Sequence, residues 1–243
     1  AEGVKFLLDA LNTFIHWVEQ LPYASIDGIW LYQLEVLGLY LSGGLVFYYF
    51  ANRGLKNLLI CLFSILLLGV YHVSMSWVDR PLDSIVFYNV RGCPAVHCID
   101  NNGNSRIVYG DSLSDKRQLY RVATNYWNHH QLLSPLEVTA DYQDTALCCR
   151  EQILSYHGRR ICMVTDNRWR NKSAATPLYI DYLYLCKGYN GHLKELRLLF
   201  APECIILDAS LSEHRKQLFE EECKQSGLRF ISLSEKGSVR FLL

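Results

Sequence analysis

The chain has 243 residues, 50% of them hydrophobic, and its 24 basic and 24 acidic side chains give a formal net charge of zero. This neutral total averages two unlike parts, because residues 1–78 are mostly apolar and residues 79–243 carry nearly all the charge. These values exclude a uniform soluble domain, and no part is basic enough for charge alone to require nucleic acid. Residues 79–243 are long enough for one ordinary globular domain.

Residues 4–21 are predicted to form an amphipathic helix. Apolar side chains recur there at helical spacing, while Lys5 and Asp9 interrupt the apolar run. The segment is too polar to cross a bilayer, so we expect it to lie in the interface plane or to pack on membrane helices. Pro22 ends it. No basic n-region or cleavage site follows Ala1, so we expect a cut inside a longer protein rather than a signal peptide.

Two apolar segments follow that are long enough to cross a membrane, which takes roughly 20 residues. Residues 29–50 contain one formal charge, Glu35, and residues 58–77 contain none. The polar turn between them contains Arg53 and Lys56, so the positive-inside rule places this turn in the cytoplasm. We therefore expect a multi-pass membrane protein whose polar domain lies on the outer face.

The first of these segments contains one ionisable residue and several small ones. Glu35 either faces protein or water, or lies close enough to the end of the helix to snorkel to the interface. Gly38, Ser42, Gly43 and Gly44 either allow a neighbouring helix to approach closely or reflect the general frequency of glycine in membrane helices.

Residues 79–243 are predicted to form an α/β (α+β) domain of sheets layered with helices, because strand-like and helical runs mix without strict βαβ spacing. Asn102-Gly103 predicts a hairpin turn, and Ser210 followed by Glu213 predicts a capped helix that ends at Gly227. The predicted strands cover 85–90, 95–99, 106–109, 152–156, 160–164, 178–185, 204–208 and 230–232, and the predicted helices cover 114–131, 193–199 and 210–227.

The nine cysteines form no CxxC pair and no Cys/His group with zinc-finger spacing. We interpret most of them as small buried apolar residues, and disulfides are the alternative. Cys148 and Cys149 are adjacent, which is the one unusual spacing. No metal cluster is predicted.

The order of these segments resembles the ComEC-type DNA-internalisation family of bacterial competence proteins. The resemblance rests on Leu21-Pro22-Tyr23-Ala24 before two late membrane helices, and on Arg53-Gly54 in the turn between them. It continues through residues 87–111, which are similar to the strands that open that family's metallo-β-lactamase-like domain, and through 182–188 and 204–210. The resemblance implies the C-terminal part of a DNA-uptake channel in the bacterial inner (cell) membrane.

The metal-binding residues of that hydrolase-like domain are missing from this sequence. No His-x-His-x-Asp-His occurs, and Cys186-Lys187 stands where the family has two histidines. A protonated lysine cannot ligate a metal, and a two-metal site needs a dense set of ligands. We interpret the adjacent pair His129-His130 as a solvated helix end. The resemblance therefore implies a degenerate metallo-β-lactamase-like domain with no catalytic residue, no metal, no cofactor and no nuclease activity.

The best remaining candidate site is a basic segment with an aromatic residue inside it. Arginine and lysine contact phosphates, and an aromatic ring stacks on an unpaired base, so this segment predicts contact with single-stranded DNA. The alternative is an ordinary solvated hairpin and loop. The candidate residues are Arg159, Arg160, Arg168, Trp169, Arg170 and Lys172.

Three functions remain open at this point. The first is the C-terminal portion of a DNA-uptake channel, whose partners are membrane lipid, single-stranded DNA and other competence-machinery proteins. The second is a membrane-anchored hydrolase with unrecognised ligands. The third is an anchored protein-interaction module that has no role with nucleic acid.

Overall fold

The computed structural model describes residues 2–19, 30–110, 115–139 and 141–243. The chain divides into two compact units, Ala1–Val73 and Ser74–Leu243. The division falls inside the third helix, a few residues before the end of the apolar part at residue 78. The last turn of that helix therefore belongs to the second unit.

Three helices make up the apolar part of the chain. They are α1 (Glu2–Glu19), α2 (Gln33–Ala51) and α3 (Leu55–Val78), and the predicted end of the first helix at 20–21 lies outside the described residues. Residues 30–32 are not helical, so the predicted start of the second helix is too early. Both α2 and α3 are long and apolar enough to cross a membrane, by length and composition.

A buried acid connects α2 with α3. Glu35 is 3% exposed, and its Oε1 lies 2.8 Å from Nδ1 of His72. Its Oε2 accepts a hydrogen bond of 2.9 Å from the backbone N–H of Tyr32, at the start of α2. Glu35 therefore faces protein, which is the first of the two alternatives above. The pattern of the sequence did not indicate His72 as its partner.

The small residues of α2 have different surroundings. A Cβ atom built on Gly38 would lie 2.3 Å from Cδ2 of Leu68 in α3, so the helices approach closely at this position. A Cβ atom on Gly43 or Gly44 would meet nothing within 4 Å. Close approach therefore explains Gly38, and it does not explain the other two glycines.

The second unit contains a five-stranded sheet. Its strands are β1 (Ser84–Phe87), β2 (Ala95–Ile99), β3 (Ser105–Tyr109), β4 (Leu136–Val138) and β12 (Val239–Leu242). Their order is β12-β1-β2-β3-β4, and all neighbours are antiparallel except the parallel pair β3–β4. The predicted hairpin turn joins β2 to β3.

A second sheet contains seven strands in sequence order. They are β5 (Tyr142–Gln143), β6 (Leu147–Arg150), β7 (Ile153–Tyr156), β8 (Arg159–Val164), β9 (Leu178–Leu185), β10 (Phe200–Leu207) and β11 (Arg229–Ser232). Strands β5 to β8 pair antiparallel with their neighbours, whereas β8 to β11 pair in parallel. The carboxyl ends of β8, β9 and β10 therefore meet at one edge of the sheet.

The two sheets and three of the helices form four layers. The alternation of side chains along β2 shows the arrangement, since Val96 and Cys98 join a core shared by both sheets while Ala95 and Ile99 pack beneath α4. A third core lies between the seven-stranded sheet and α5 and α6. The outer helices are α4 (Lys116–His129), α5 (Leu193–Arg197) and α6 (Glu213–Ser226), whereas Leu233 of the short helix α7 (Leu233–Lys236) joins the core between the sheets.

A buried polar network lies in the core beneath α4. Trp127 donates its indole N–H to the Tyr88 hydroxyl at 2.9 Å, and that hydroxyl lies 2.6 Å from Nδ1 of His97. With the Tyr88 proton directed at Nδ1, the imidazole is neutral and carries its proton on Nε2. Burial lowers the pKa of His97 to about 3, so the ring stays neutral at physiological pH.

Two sequence-based expectations concern details of this fold. The N-cap of α6 is Ser212, whose hydroxyl accepts from the backbone N–H of Arg215 at 3.4 Å, so the predicted cap at Ser210 is wrong. Ser210 instead donates to Asp208 at the end of β10. Eight of the nine cysteines are buried, as expected for small apolar residues.

Candidate nucleic-acid interface

The edge where β8, β9 and β10 end carries a buried carboxyl group. Asp208 is 2% exposed, and the hydroxyl of Tyr184 donates to its Oδ1 at 2.5 Å. The backbone N–H of Ser210 donates to Oδ2 at 3.0 Å. Burial raises the pKa of Asp208, and these donors oppose that rise. The carboxyl group therefore fixes the loop after β10 and does not face solvent.

Cys186 and Lys187 follow β9 at this edge and have opposite environments. The Cys186 side chain is fully buried, its thiol contacts the Tyr184 carbonyl oxygen, and burial raises the thiol pKa well above its ordinary value. Lys187 is exposed and lines a cavity of about 340 Å³ together with Arg91 and Ser212. This edge therefore presents two cations to solvent and keeps its thiol inside the core.

A larger cavity of about 710 Å³ opens between the two sheets. Its charged side chains are paired with one another, because Lys116 Nζ lies 2.5 Å from Glu137 Oε2 and Arg168 Nη2 lies 2.8 Å from Asp166 Oδ2. Burial raises the pKa of Asp166, but hydrogen bonds from Arg168 outweigh this effect and hold that pKa below its ordinary value. The pairing leaves the cavity without net charge.

No group of three or more histidine, cysteine, aspartate or glutamate side chains that could hold a metal ion exists among the described residues. His129 and His130 do lie at the end of α4, but they are half-buried rather than solvated. His129 Nε2 lies 3.7 Å from a carboxylate oxygen of Asp79, and His130 Nδ1 lies 3.4 Å from the carbonyl oxygen of the same residue. The adjacent histidines therefore attach the end of α4 to the segment that follows α3.

The aspartate directly after β5 forms an ion pair with an arginine of β3. Arg106 donates to Asp144 Oδ2 from Nη2 at 2.6 Å, and the backbone N–H of Thr145 donates to Oδ1 at 2.6 Å. The Thr145 N–H and the Arg106 guanidinium hold the pKa of the Asp144 carboxyl below its ordinary value. The Asp144 carboxylate therefore neutralises the Arg106 guanidinium and links β3 to the end of β5. No local sequence pattern indicated this ion pair, because the two residues are 38 positions apart.

The predicted basic segment is divided into two groups by β8. Arg159 and Arg160 begin this strand of six residues, and Arg168 to Lys172 follow its end. At about 3.3 Å per residue the strand separates the groups by about 20 Å. They therefore form two separate groups at opposite ends of β8 rather than a single patch.

Acidic partners hold several of these cations. Asp181, which is 5% exposed, accepts from the Arg159 guanidinium at 2.7 Å and from the backbone N–H of Arg160 at 2.8 Å. Arg168 pairs with Asp166 as described above, and Arg170 Nε lies 3.6 Å from Glu195 Oε2. The spacing of basic residues in the sequence gave no indication of these partners, because each acid except Asp166 comes from a distant element.

Two of the candidate cations have no such partner. Within the part of the chain that the structure describes, no carboxylate pairs with the exposed side chains of Arg160 and Lys172. Lys172 Nζ lies 5.5 Å from the ring centroid of Trp169, and that ring packs edge-on against Phe200, with 5.2 Å between centroids. Trp169 therefore supports the loop from the core side.

Two long apolar helices followed by a four-layer domain of helices and sheets define a membrane-protein segment with a mixed α/β domain. The family model of the ComEC C-terminal domain matches residues 85–243, and the chain belongs to this family. The match begins within β1 and covers the domain after the apolar helices. The family connects the chain with competence and DNA uptake at the inner membrane. No curated protein and no solved structure matches the chain.

Proposed function

We propose that this chain is the C-terminal portion of an inner-membrane DNA-uptake channel, and that its polar domain contacts single-stranded DNA without cleaving it. The family match over residues 85–243 is the observation that carries this proposal. The described residues provide no set of ligands dense enough for a two-metal hydrolytic site, which supports a binding role.

The apolar helices support placement in the membrane. Apolar side chains surround both α2 and α3, as expected for helices in contact with lipid. Arg53 lies in the turn between them and Lys56 in the first turn of α3, and the positive-inside rule then places this turn in the cytoplasm and the polar domain outside. A periplasmic reporter fused after residue 82 should be active, and a reporter in the turn should be inactive. The reverse pattern would contradict the proposed orientation.

The layer order supports descent from a metallo-β-lactamase-like hydrolase. Two facing sheets with helices on both outer sides form the kind of layered scaffold that the resemblance implies. At the edge where parallel strands end, this chain has a buried cysteine, Cys186, and a lysine, Lys187. We infer that the scaffold persists and that the metal chemistry of the ancestral site is lost.

The proposed DNA contact uses the two groups on either side of β8. Arg160 and Lys172 form no ion pair with the carboxylates that the structure describes, so they provide the main phosphate contacts. Arg168 and Arg170 contribute less, because phosphate competes there with the carboxylates of Asp166 and Glu195. This competition is weak, since each exposed ion pair is worth only about 0–1 kcal/mol. An extended single strand would cross the distance between the two groups.

The salt dependence of oligonucleotide binding tests this interface. Each phosphate contact with a single strand contributes roughly −0.7 to the slope of log affinity against log salt, so Arg160→Ala with Lys172→Ala should flatten the slope by about 1.4. The matched control is Arg117→Ala with Arg121→Ala, which removes the same charge from the exposed side of α4. Equal flattening in both double variants would show that binding follows net charge rather than the proposed site.

A further inference from the structure

A polar cavity of about 420 Å³ lies in the second unit beside the end of α3. Three segments form it, which are the end of α3 with the residues after it, the turn between β2 and β3, and the end of α4. Its lining includes Trp77, Arg80, Asn101, Asn102, His130 and Gln131. None of these residues belongs to the proposed DNA interface.

Hydrogen bonds between the three segments hold the walls of this cavity in place. The backbone N–H of Asn101 donates to Asp83 Oδ1 at 2.9 Å, which ties the β2–β3 turn to the segment after α3. The backbone N–H of Leu133 donates to the Gly103 carbonyl at 3.0 Å, which ties the same turn to the residues after α4. The cavity is therefore formed before any ligand enters it.

The position of the cavity in the chain places it at the depth of lipid headgroups. Trp77 is in the last turn of α3 and is 66% exposed, and the Arg80 guanidinium carbon lies 4.7 Å from its ring centroid. Tryptophan and arginine at the end of an apolar helix are typical of the membrane–water interface. This step rests on the proposed function, since it requires that α3 crosses the membrane.

The lining is polar and carries one positive charge. Arg80 is the one formally charged residue among the described residues of the lining, and burial lowers the pKa of His130, which keeps that ring neutral at pH 7. The carboxylates of Asp79 and Asp83 lie outside the lining. Asp83 Oδ1 accepts a hydrogen bond from the Asn101 backbone N–H, and Asp79 Oδ2 lies 3.7 Å from Nε2 of His129. A guanidinium surrounded by amide and imidazole groups suits a phosphate oxygen.

We propose that this cavity binds the phosphate of a membrane phospholipid headgroup, with Arg80 as the charged contact. The Asn101 and Asn102 side chains line the same cavity and supply amide hydrogen-bond donors. The acyl chains of the bound lipid remain in the bilayer beside α3. The site would attach the polar domain to the membrane surface close to where the chain leaves it.

Lipid retention by the full chain tests this site. The chain is purified in detergent, and native mass spectrometry measures its affinity for phosphatidylglycerol. The variant is Arg80→Gln, and the control is Arg91→Gln, which removes an exposed arginine of the same domain outside this cavity. We expect about a fivefold loss of affinity in the variant, because one basic contact with an anionic lipid is worth about 1 kcal/mol, and we expect no change in the control.

A second arm separates a lipid site from a site for soluble phosphate. Glycerol 3-phosphate at equal concentration should bind at least tenfold more weakly than the lipid, and equal binding would overturn the proposal. If Arg80→Gln does not fold, Asn102→Asp adds a negative charge to the lining and should weaken lipid binding relative to Asn190→Asp, which lies elsewhere on the surface. Equal affinities in all variants would also overturn it. Carbonate extraction of membranes tests independently whether the chain is embedded.

Discussion

Replacement of Gly188 by alanine should be strongly destabilising, because two separate requirements meet at this residue. Its φ is +116°, a conformation that residues with a side chain rarely adopt. A Cβ atom built there would lie 2.2 Å from the carbonyl oxygen of Thr165, which is backbone and cannot rotate away. Gly188 and Thr165 lie just beyond the ends of β9 and β8, so the loops of this edge pass too close together for a methyl group.

The magnitude follows from comparison with Gly158, in the turn between β7 and β8. Gly158 also has positive φ, +79°, but a Cβ atom there would meet nothing within 4 Å. Gly158→Ala should therefore cost only the conformational term, about 1–2 kcal/mol. Gly188→Ala adds steric overlap, which costs about 1–3 kcal/mol in packed regions, so its total should be about 2–5 kcal/mol.

Urea unfolding of the full chain in detergent, followed by tryptophan fluorescence, measures both losses of free energy of unfolding. The difference between the two variants reports the contact with Thr165 together with the larger φ of Gly188, because both replacements introduce the same methyl group. Equal losses would refute the close approach of the two loops at this edge.

Two further predictions concern buried titratable groups. The pKa of His97 falls from 6.5 to about 3 on folding, so protonation favours the unfolded state. The folded protein therefore keeps its full stability above pH 6.5 and loses stability as the pH falls towards 3, by about 2 kcal/mol between pH 7 and pH 5. Urea unfolding should show this loss in the wild type but not in His97→Gln; Asp208, whose raised pKa acts in the opposite direction, is common to both proteins. In a double-mutant cycle, Glu35→Gln and His72→Gln should show a coupling of about 1 kcal/mol in thermal unfolding, and additive losses would contradict their pairing.

Periodicity in the sequence predicted most of the regular elements. The strand at 178–185 matches β9, and the hairpin around His157-Gly158 matches β7 and β8, because alternating apolar residues and turn signals are local. The short strands β4, β5 and β6, the returning strand β12 and the short helix α7 were not predicted. Strands β4 and β12 are held by pairing with distant segments, and in all of these elements a few residues carry little local signal.

The candidate site was predictable in residue type but not in arrangement. Clustering of basic residues pointed to 159–172, but their acidic partners, such as Asp181 and Glu195, are brought there by other strands and helices. Burial also differs between neighbouring residues of this segment, since Trp169 packs on the core whereas Lys172 is exposed. Such effects depend on tertiary contacts, which local patterns do not encode.

The metal content of the purified chain tests the central proposal most directly, namely that the polar domain has no metal centre. The full chain is exposed to zinc and manganese, passed through gel filtration and measured by plasma mass spectrometry. We predict substoichiometric metal, because the described residues contain no ligand cluster. One or two tightly held equivalents per chain, lost on His129→Ala and His130→Ala, would contradict this claim and favour a membrane-anchored hydrolase.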